Sequence, residues 1–155
     1  MFDDLRDLYQ EVILDHGRRP RNFRRLENAT HHARGDNPLC GDKMDLWLAF
    51  GDDGAIADAA FQGRGCAISM ASASLMTETV RGKSPPQARQ LGEAFRQLAM
   101  TGQCPECEAA LAEDMERLSP LSGVHEFPSR VKCATLAWHT LNNALDDSGQ
   151  EARSE

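Results

Sequence analysis

The spacing of apolar residues changes period once along this chain, and that change limits the fold. Met44, Leu46, Leu48 and Phe50 alternate with Lys43, Asp45 and Trp47, the period of two that a half-buried strand requires. Gly51-Asp52-Asp53-Gly54 reads as a hairpin turn, and Ile56 to Phe61 as a weaker return strand. From Cys66 onward the period is helical. Ile68, Ala71, Ser72, Leu75, Met76 and Thr79 form one stripe that ends near Gly82, with Ala and Ser residues that permit close packing. Ser84-Pro85 predicts an N-cap with Pro at the first helical position, and Ala88, Leu91, Phe95 and Leu98 carry that helix to Gly102. A short helix is expected from Glu106 to Leu118. Ser129 is the expected cap of a last helix that buries Val131, Ala134, Trp138, Leu141 and Leu145.

Ahead of the strands, Leu5, Leu8, Tyr9, Val12 and Ile13 predict an opening helix, capped by Asp3 or Asp4 and ended by Gly17. Residues 18–36 are polar and expected to be irregular, with a faint strand signal over 29–36. Strands early and helices late, without βαβ alternation, define an α+β class. The expected architecture is a small antiparallel sheet packed against several helices, with an N-terminal helix and a helical C-terminal half. A single domain over 1–147 and a frayed tail over 148–155 complete the expectation.

Size and charge remove several function classes. A chain of 155 residues can bury about 70% of its unfolded surface, so it needs no metal staple to fold. A net charge of −7 argues against nucleic acid, which wants a basic patch. The one basic cluster, Arg18-Arg19-Pro20-Arg21 with Arg24-Arg25, reads as a solvated loop. No apolar run of about 18 residues suggests a membrane helix, and the N-terminus lacks a charged-then-apolar signal pattern. Five cysteines, an odd number, then point to reduced thiols and a cytoplasmic setting.

Three of those cysteines stand out by position. Asn37-Pro38-Leu39-Cys40-Gly41-Asp42 puts a thiol and a carboxylate two residues apart in a turn shaped by Pro and Gly, where both can face one point. Cys66 and Cys133 fall where helices are expected to begin, and unpaired N–H groups there favour a negatively charged sulfur. Cys133 lies roughly 110° from the centre of the last helix's apolar stripe, poorly placed as core filler. Cys40, Asp42, Cys66 and Cys133 offer four ligands, the number a tetrahedral zinc takes. The opposing reading, in which each buried cysteine is a small hydrophobe, suits one such residue better than three. Cys104-Pro105-Glu106-Cys107 adds a C-x-x-C that is either an incidental or conditional redox pair or half of a second zinc site. His16, His31, His32, His125 and His139 have no ligand-like spacing.

These motifs carry a resemblance. Asn-Pro-Leu-Cys-Gly-Asp at 37–42, Gly65-Cys66-Ala67-Ile68-Ser69, and Lys132-Cys133-Ala134-Thr135-Leu136-Ala137-Trp138 resemble the U-type iron–sulfur cluster assembly proteins, the IscU/SufU family. The likeness runs from Leu8-Tyr9 and Asp15-His16 through Asn142. It implies that Cys40, Asp42, Cys66 and Cys133 hold a metal or cluster, and that a small sheet packs on helices. The scaffold branch carries His immediately before the last cysteine and a Leu-Pro-Pro-Val-Lys motif nearby. This chain has Lys132 and Phe127-Pro128-Ser129-Arg130-Val131-Lys132, and about twenty extra residues over 100–124.

Those features look like the SufU branch, whose members bind zinc and take sulfur from a SufS-type cysteine desulfurase. In that branch a desulfurase residue frees Cys40 from zinc, and the thiolate takes the sulfur for downstream iron–sulfur assembly proteins. Arg130, one helical turn before Cys133, either stabilises the exposed thiolate or persulfide or is a solvated helix-start arginine. Three readings follow: a zinc-dependent sulfurtransferase, a scaffold that assembles and passes on a [2Fe-2S] cluster, and a structural zinc adaptor domain. Asp42, in place of a fourth thiolate, suits the last least.

Overall fold

The computed structural model describes residues 2–38, 41–103, 111–146 and 152–153, with side chains described from Gln10 onward and not for 152–153. The class is α+β, as the change of period implies. Helix α1 spans Phe2–Arg18, followed by strands β1 (His31–Asn37), β2 (Asp42–Phe50) and β3 (Ile56–Arg64). Helices α2 (Ala67–Val80), α3 (Pro85–Thr101) and α4 (Ala112–Leu118) lead into a 3-10 stretch, Ser119–Glu126. Helix α5 (Pro128–Asp146) is the longest, and β4 (Ala152–Arg153) is a two-residue strand.

The sheet order is β3-β2-β1-β4, antiparallel except where β4 runs parallel to β1 beside Gly35 and Asp36. The rest of the expected frayed tail lies outside the described residues. Strand β2 behaves as its alternation predicts, with Met44, Leu46 and Leu48 turned inward and Lys43 exposed. At the tip, Gly54 has φ 81°, a left-handed conformation that glycine takes without a steric penalty, and the Gly51 N–H bonds to the Ala55 carbonyl.

The core lies between one sheet face and the helices. Leu46, Leu48, Ile56 and Phe61 from the sheet meet Leu75, Met76, Leu91, Phe95, Trp138 and Leu141 from α2, α3 and α5. Truncating a fully buried Leu such as Leu46 costs about 2–5 kcal/mol, because the lost transfer energy adds to an unfilled cavity. The other sheet face carries a small apolar patch of Ala49, Ala60 and Trp47 under Leu26 and Ala29.

Helix α2 is the pivot of the packing. Its run Ala71-Ser72-Ala73-Ser74 is buried and lets α1, α5 and β3 approach it together. The Ser72 hydroxyl donates to the Ala134 carbonyl of α5, so the close approach leaves no hydroxyl stranded. Helix α3 starts at the expected Ser84 N-cap, which forms a capping box with Gln87, and ends at Gly102, whose φ of 82° closes a left-handed cap.

Several expectations change. The stretch expected to be irregular holds a full strand, β1, paired with β2 from His31↔Leu48 to Asn37↔Asp42. The short helix begins only at Ala112 and continues as the 3-10 stretch through Gly123; the start expected at Glu106 lies outside the described residues. Helix α5 begins at Pro128, so Ser129 lies inside its first turn and is not its cap. That register moves Cys133 from the first turn to the second. Helix α1 forms as expected but runs from Phe2 to Arg18, so Asp3, Asp4 and Gly17, expected to cap and end it, lie inside it; the side chains of Asp3, Asp4, Leu5, Leu8 and Tyr9 lie outside the described set.

Candidate metal centre

Three elements deliver three potential ligands to one point. Asp42 is the first residue of β2, Cys66 is the N-cap of α2, and Cys133 sits in the second turn of α5. One carboxylate oxygen and the two sulfurs all lie within 4.8 Å of one another. Asp42 and Cys133 are fully buried, and Cys66 is partly open. Cys40, two residues before Asp42 in the chain, lies outside the described residues, as do Cys104 and Cys107.

Local backbone geometry fixes each group. Gly41, between Cys40 and Asp42, has φ 71°, which a side chain would strain, and its N–H donates to the Asn37 carbonyl. The Cys66 backbone N–H donates to Asp42 Oδ1 at 3.0 Å. Gly65 lets that strand-to-helix turn close over the carboxylate, because a Cβ at position 65 would collide with Asp42 Oδ1. The Cys66 sulfur accepts the Ser69 N–H at 3.5 Å, as an N-cap side chain does.

Cys133 is held differently. It lies beyond the unpaired N–H groups of α5, so the end-of-helix argument does not apply to it. It is buried, contrary to its place off the apolar stripe, because α5 is covered on almost every side. Its sulfur nonetheless faces polar neighbours, as the spacing implied. The Ser129 carbonyl accepts from it at 3.8 Å, and Asn37 Nδ2 lies 3.8 Å away.

The donor set suits a borderline metal ion. Ligands around a tetrahedral zinc with sulfur and oxygen donors sit roughly 3.3–3.8 Å apart. Closing a 4.8 Å triangle to that size takes movements of about an ångström, within reach of side-chain rotation. Two sulfurs and one carboxylate oxygen therefore fit zinc, with room in the count for a fourth ligand.

Arg130 lies in the first turn of α5, with an exposed side chain, one helical turn before Cys133. Lys132 is half-buried beside Cys133. The histidines stay outside the cluster. His16 is buried against Ser74 Oγ at 2.7 Å, while His32 stacks on Trp47 and pairs with Asp45. His31 packs on Phe50, and His125 bonds the Ser122 carbonyl. His139 is half-buried, and burial followed by the charge of Arg96 holds its pKa below the ordinary value.

Sequence reasoning gave Asn37 and Gly65 no role. The signal for Asn37 was its place in β1, where positions 33, 35 and 37 turn inward, so that a polar residue is buried opposite Asp42. That signal is readable only once β1 is recognised as a strand.

A small sheet backed by helices brings sulfur and carboxylate groups together where β2, α2 and α5 meet, a candidate site for a metal ion. The family model for the NifU-like N-terminal domain matches residues 8–134, and the chain belongs to that family. The chain is 39% identical over 144 residues to the iron–sulfur cluster assembly scaffold protein IscU of Streptococcus pyogenes, covering 93% of this chain and 86% of the relative. It is 38% identical over 142 residues to the zinc-dependent sulfurtransferase SufU of Bacillus subtilis, covering 92% of each. Among solved structures, a SUF-system scaffold candidate from Fervidobacterium islandicum superimposes with a TM-score of 0.77 at 32% identity, covering 87% of this chain and 94% of that one. The chain thus belongs with the IscU and SufU proteins in one family. Among the described residues, no helix is long and apolar enough to cross a membrane.

Proposed function

We propose that this protein accepts sulfur at Cys40 from a SufS-type cysteine desulfurase and passes it to downstream iron–sulfur assembly proteins in the cytoplasm. Zinc is held by Asp42, Cys66 and Cys133 together with Cys40. The observation that carries this reading is the convergence of a buried carboxylate with two sulfurs within 4.8 Å. A hard oxygen donor among the ligands suits zinc and is a poorer match to clusters, which favour thiolates. The similarity to a relative named as a zinc-dependent sulfurtransferase supports it.

Zinc, when bound, holds sulfur deprotonated without redox chemistry of its own. The Cys40 thiolate attacks the outer sulfur of the partner's persulfide. One S–S bond forms on Cys40 as the partner's S–S bond breaks, and the partner's cysteine leaves as a thiolate, with no net oxidation. Arg130, exposed one turn from Cys133, is the proposed cation beside the newly formed persulfide.

A second reading is supported by the relatives named as scaffolds at comparable identity, that of Streptococcus pyogenes and that of Escherichia coli at 38%. In it the same residues hold a [2Fe-2S] cluster. Incubation with a matched desulfurase and cysteine, followed by mass spectrometry, separates the two. The transfer reading expects one added sulfur on the Cys40 peptide, faster cysteine consumption, and loss of both in Cys40→Ala. It also expects Lys132→His to be unnecessary for activity. Wild-type protein that gains no sulfur yet builds a stable brown cluster from iron and sulfide establishes the scaffold.

A further inference from the structure

Asn37 is fully buried at the end of β1, paired in register with Asp42, and its carboxamide points into the ligand cluster. Its Nδ2 lies 3.4 Å from Asp42 Oδ2 and 3.8 Å from the Cys133 sulfur. One amide nitrogen thus addresses two of the three convergent groups. Its Oδ1 is buried and has no hydrogen-bond partner among the described residues. A buried amide oxygen left unpaired costs about 1–3 kcal/mol, so an apolar side chain of the same shape would suit the fold alone better.

Two long contacts and a stranded oxygen are a poor bargain for stability but a good one for orientation. Asp42 Oδ1 already takes the Cys66 N–H, so a donor on Oδ2 is what stops the carboxylate from rotating about its last bond. Cys133 comes from a different element, 96 residues along the chain, and the Asn37 side chain reaches both the carboxylate and that sulfur.

We propose that Asn37 is a positioning residue of the metal centre, which sets the Asp42 carboxylate and the Cys133 sulfur at ligand spacing before the metal arrives. Orienting partners of this kind typically change metal affinity 10–100-fold. The inference rests on the reading of Asp42, Cys66 and Cys133 as metal ligands.

The test compares wild type with Asn37→Leu, which keeps the volume and removes both polar functions, and with Asn37→Ser, which keeps a short donor. Zinc affinity is measured on metal-free protein against a chromophoric chelator, and cobalt is added in place of zinc to record the visible ligand-field bands. The expected result is a zinc dissociation constant raised about 10–100-fold in Asn37→Leu, a shifted or weakened cobalt spectrum, and a smaller change in Asn37→Ser. Melting of the metal-free Asn37→Leu protein is expected at or above the wild-type temperature, which separates orientation from a structural role. Zinc affinity within twofold of wild type together with an unchanged cobalt spectrum overturns the inference. If Asn37→Leu does not fold, Asn37→Ser decides on the same two readouts. Wild-type protein that binds neither zinc nor cobalt overturns the ligand reading and this inference with it, whereas binding without sulfur acceptance removes only the transfer chemistry.

Discussion

Asp42 opens β2 and Asp58 lies within β3, two carboxylates on neighbouring strands of one sheet in opposite surroundings. Asp58 is partly exposed and is gripped by two guanidiniums, Arg24 at 2.7 Å and Arg81 at 2.7 Å. Burial works against its ionisation, and the hydrogen bonds and charges of those arginines outweigh that, holding its carboxyl below the ordinary value. Arg81 also bonds Asn22, so this corner ties the loop after α1 to the end of α2 and to β3. Asp42 is fully buried, and its hydrogen bonds come from neutral N–H groups of Cys66 and Asn37. One cluster balances its charge with protein groups alone. The other gathers a carboxylate and two sulfurs, a set suited to taking up a cation. A carboxylate met by arginines serves the fold, while one met by amides and sulfurs invites a ligand.

Metal content gives the largest expected difference between the two regions. Cys66→Ser and Cys133→Ser are each expected to strip zinc from the purified protein, whereas Asp58→Asn is expected to keep one zinc per chain. Elemental analysis decides it, and full occupancy in both cysteine variants would refute the ligand set. The double change Cys104→Ser with Cys107→Ser is expected to leave zinc content and sulfur acceptance intact under reducing conditions; loss of either gives that pair a function.

Removing the metal should lower the melting temperature without unfolding the chain. Free zinc at a thousand times its dissociation constant adds about 4 kcal/mol. For a domain of this size that corresponds to a shift of roughly 10 °C. The apolar core between sheet and helices contains none of the cluster residues, so the metal-free protein is expected to keep its circular dichroism. Collapse of that signal on chelation would instead favour a structural zinc domain.

The two regions were not equally legible. Helices α2 and α3 and the β2–β3 hairpin announce themselves through strong periodicity, the Ser84-Pro85 cap and the Gly51–Gly54 turn. Strand β1 does not, because its inward positions are Ala33, Gly35 and Asn37, with no large apolar residue to mark the period. Gly35 has a reason visible only in three dimensions: α5 packs so closely that a Cβ there would collide with the Thr140 hydroxyl. Asp42, Cys66 and Cys133 could be picked out by residue type and turn chemistry, which local sequence carries. Asn37 could not, because its role depends on the register of β1 against β2. The Asp58 cluster was equally hidden. Its arginines at 24 and 81 flank it from afar in sequence, and Arg24 read simply as part of a solvated loop.

A smaller effect is expected when the Asp58 network is cut. Arg81→Ala removes bonds to both Asp58 and Asn22, but these groups are substantially solvated, so the cost is about 1 kcal/mol or less. The melting temperature should fall by only a few degrees, and more at low salt than at high salt. Zinc binding should not change. A loss of zinc in Arg81→Ala would show that the two ends of α2 are coupled and that the contrast drawn between them is too sharp.

The smallest expected effect lies where α1 meets α2 and concerns pH. His16 is buried where α1 meets α2, its Nδ1 2.7 Å from Ser74 Oγ and 4.0 Å from Glu78. Burial holds its pKa below 6.5, helped by the charge of Arg21 and opposed more weakly by Glu78 and Asp15. Below pH 6.5 the unfolded chain therefore binds a proton that the folded chain resists, and stability falls as the pH falls through that window. His139 acts in the same direction, so only part of the slope belongs to His16. Asp15 and Asp58, whose pKa values are lowered from 3.8, act in a separate and more acidic window. Melting of metal-free wild type and His16→Gln at pH 7.5 and pH 5.5 should show a shallower pH dependence in the variant. Parallel curves would mean that His16 accepts its proton in the folded state. The Glu78 contact would then have to be read as a charged pair, bringing that corner closer to the arginine-gripped Asp58 than to the buried cluster at Asp42.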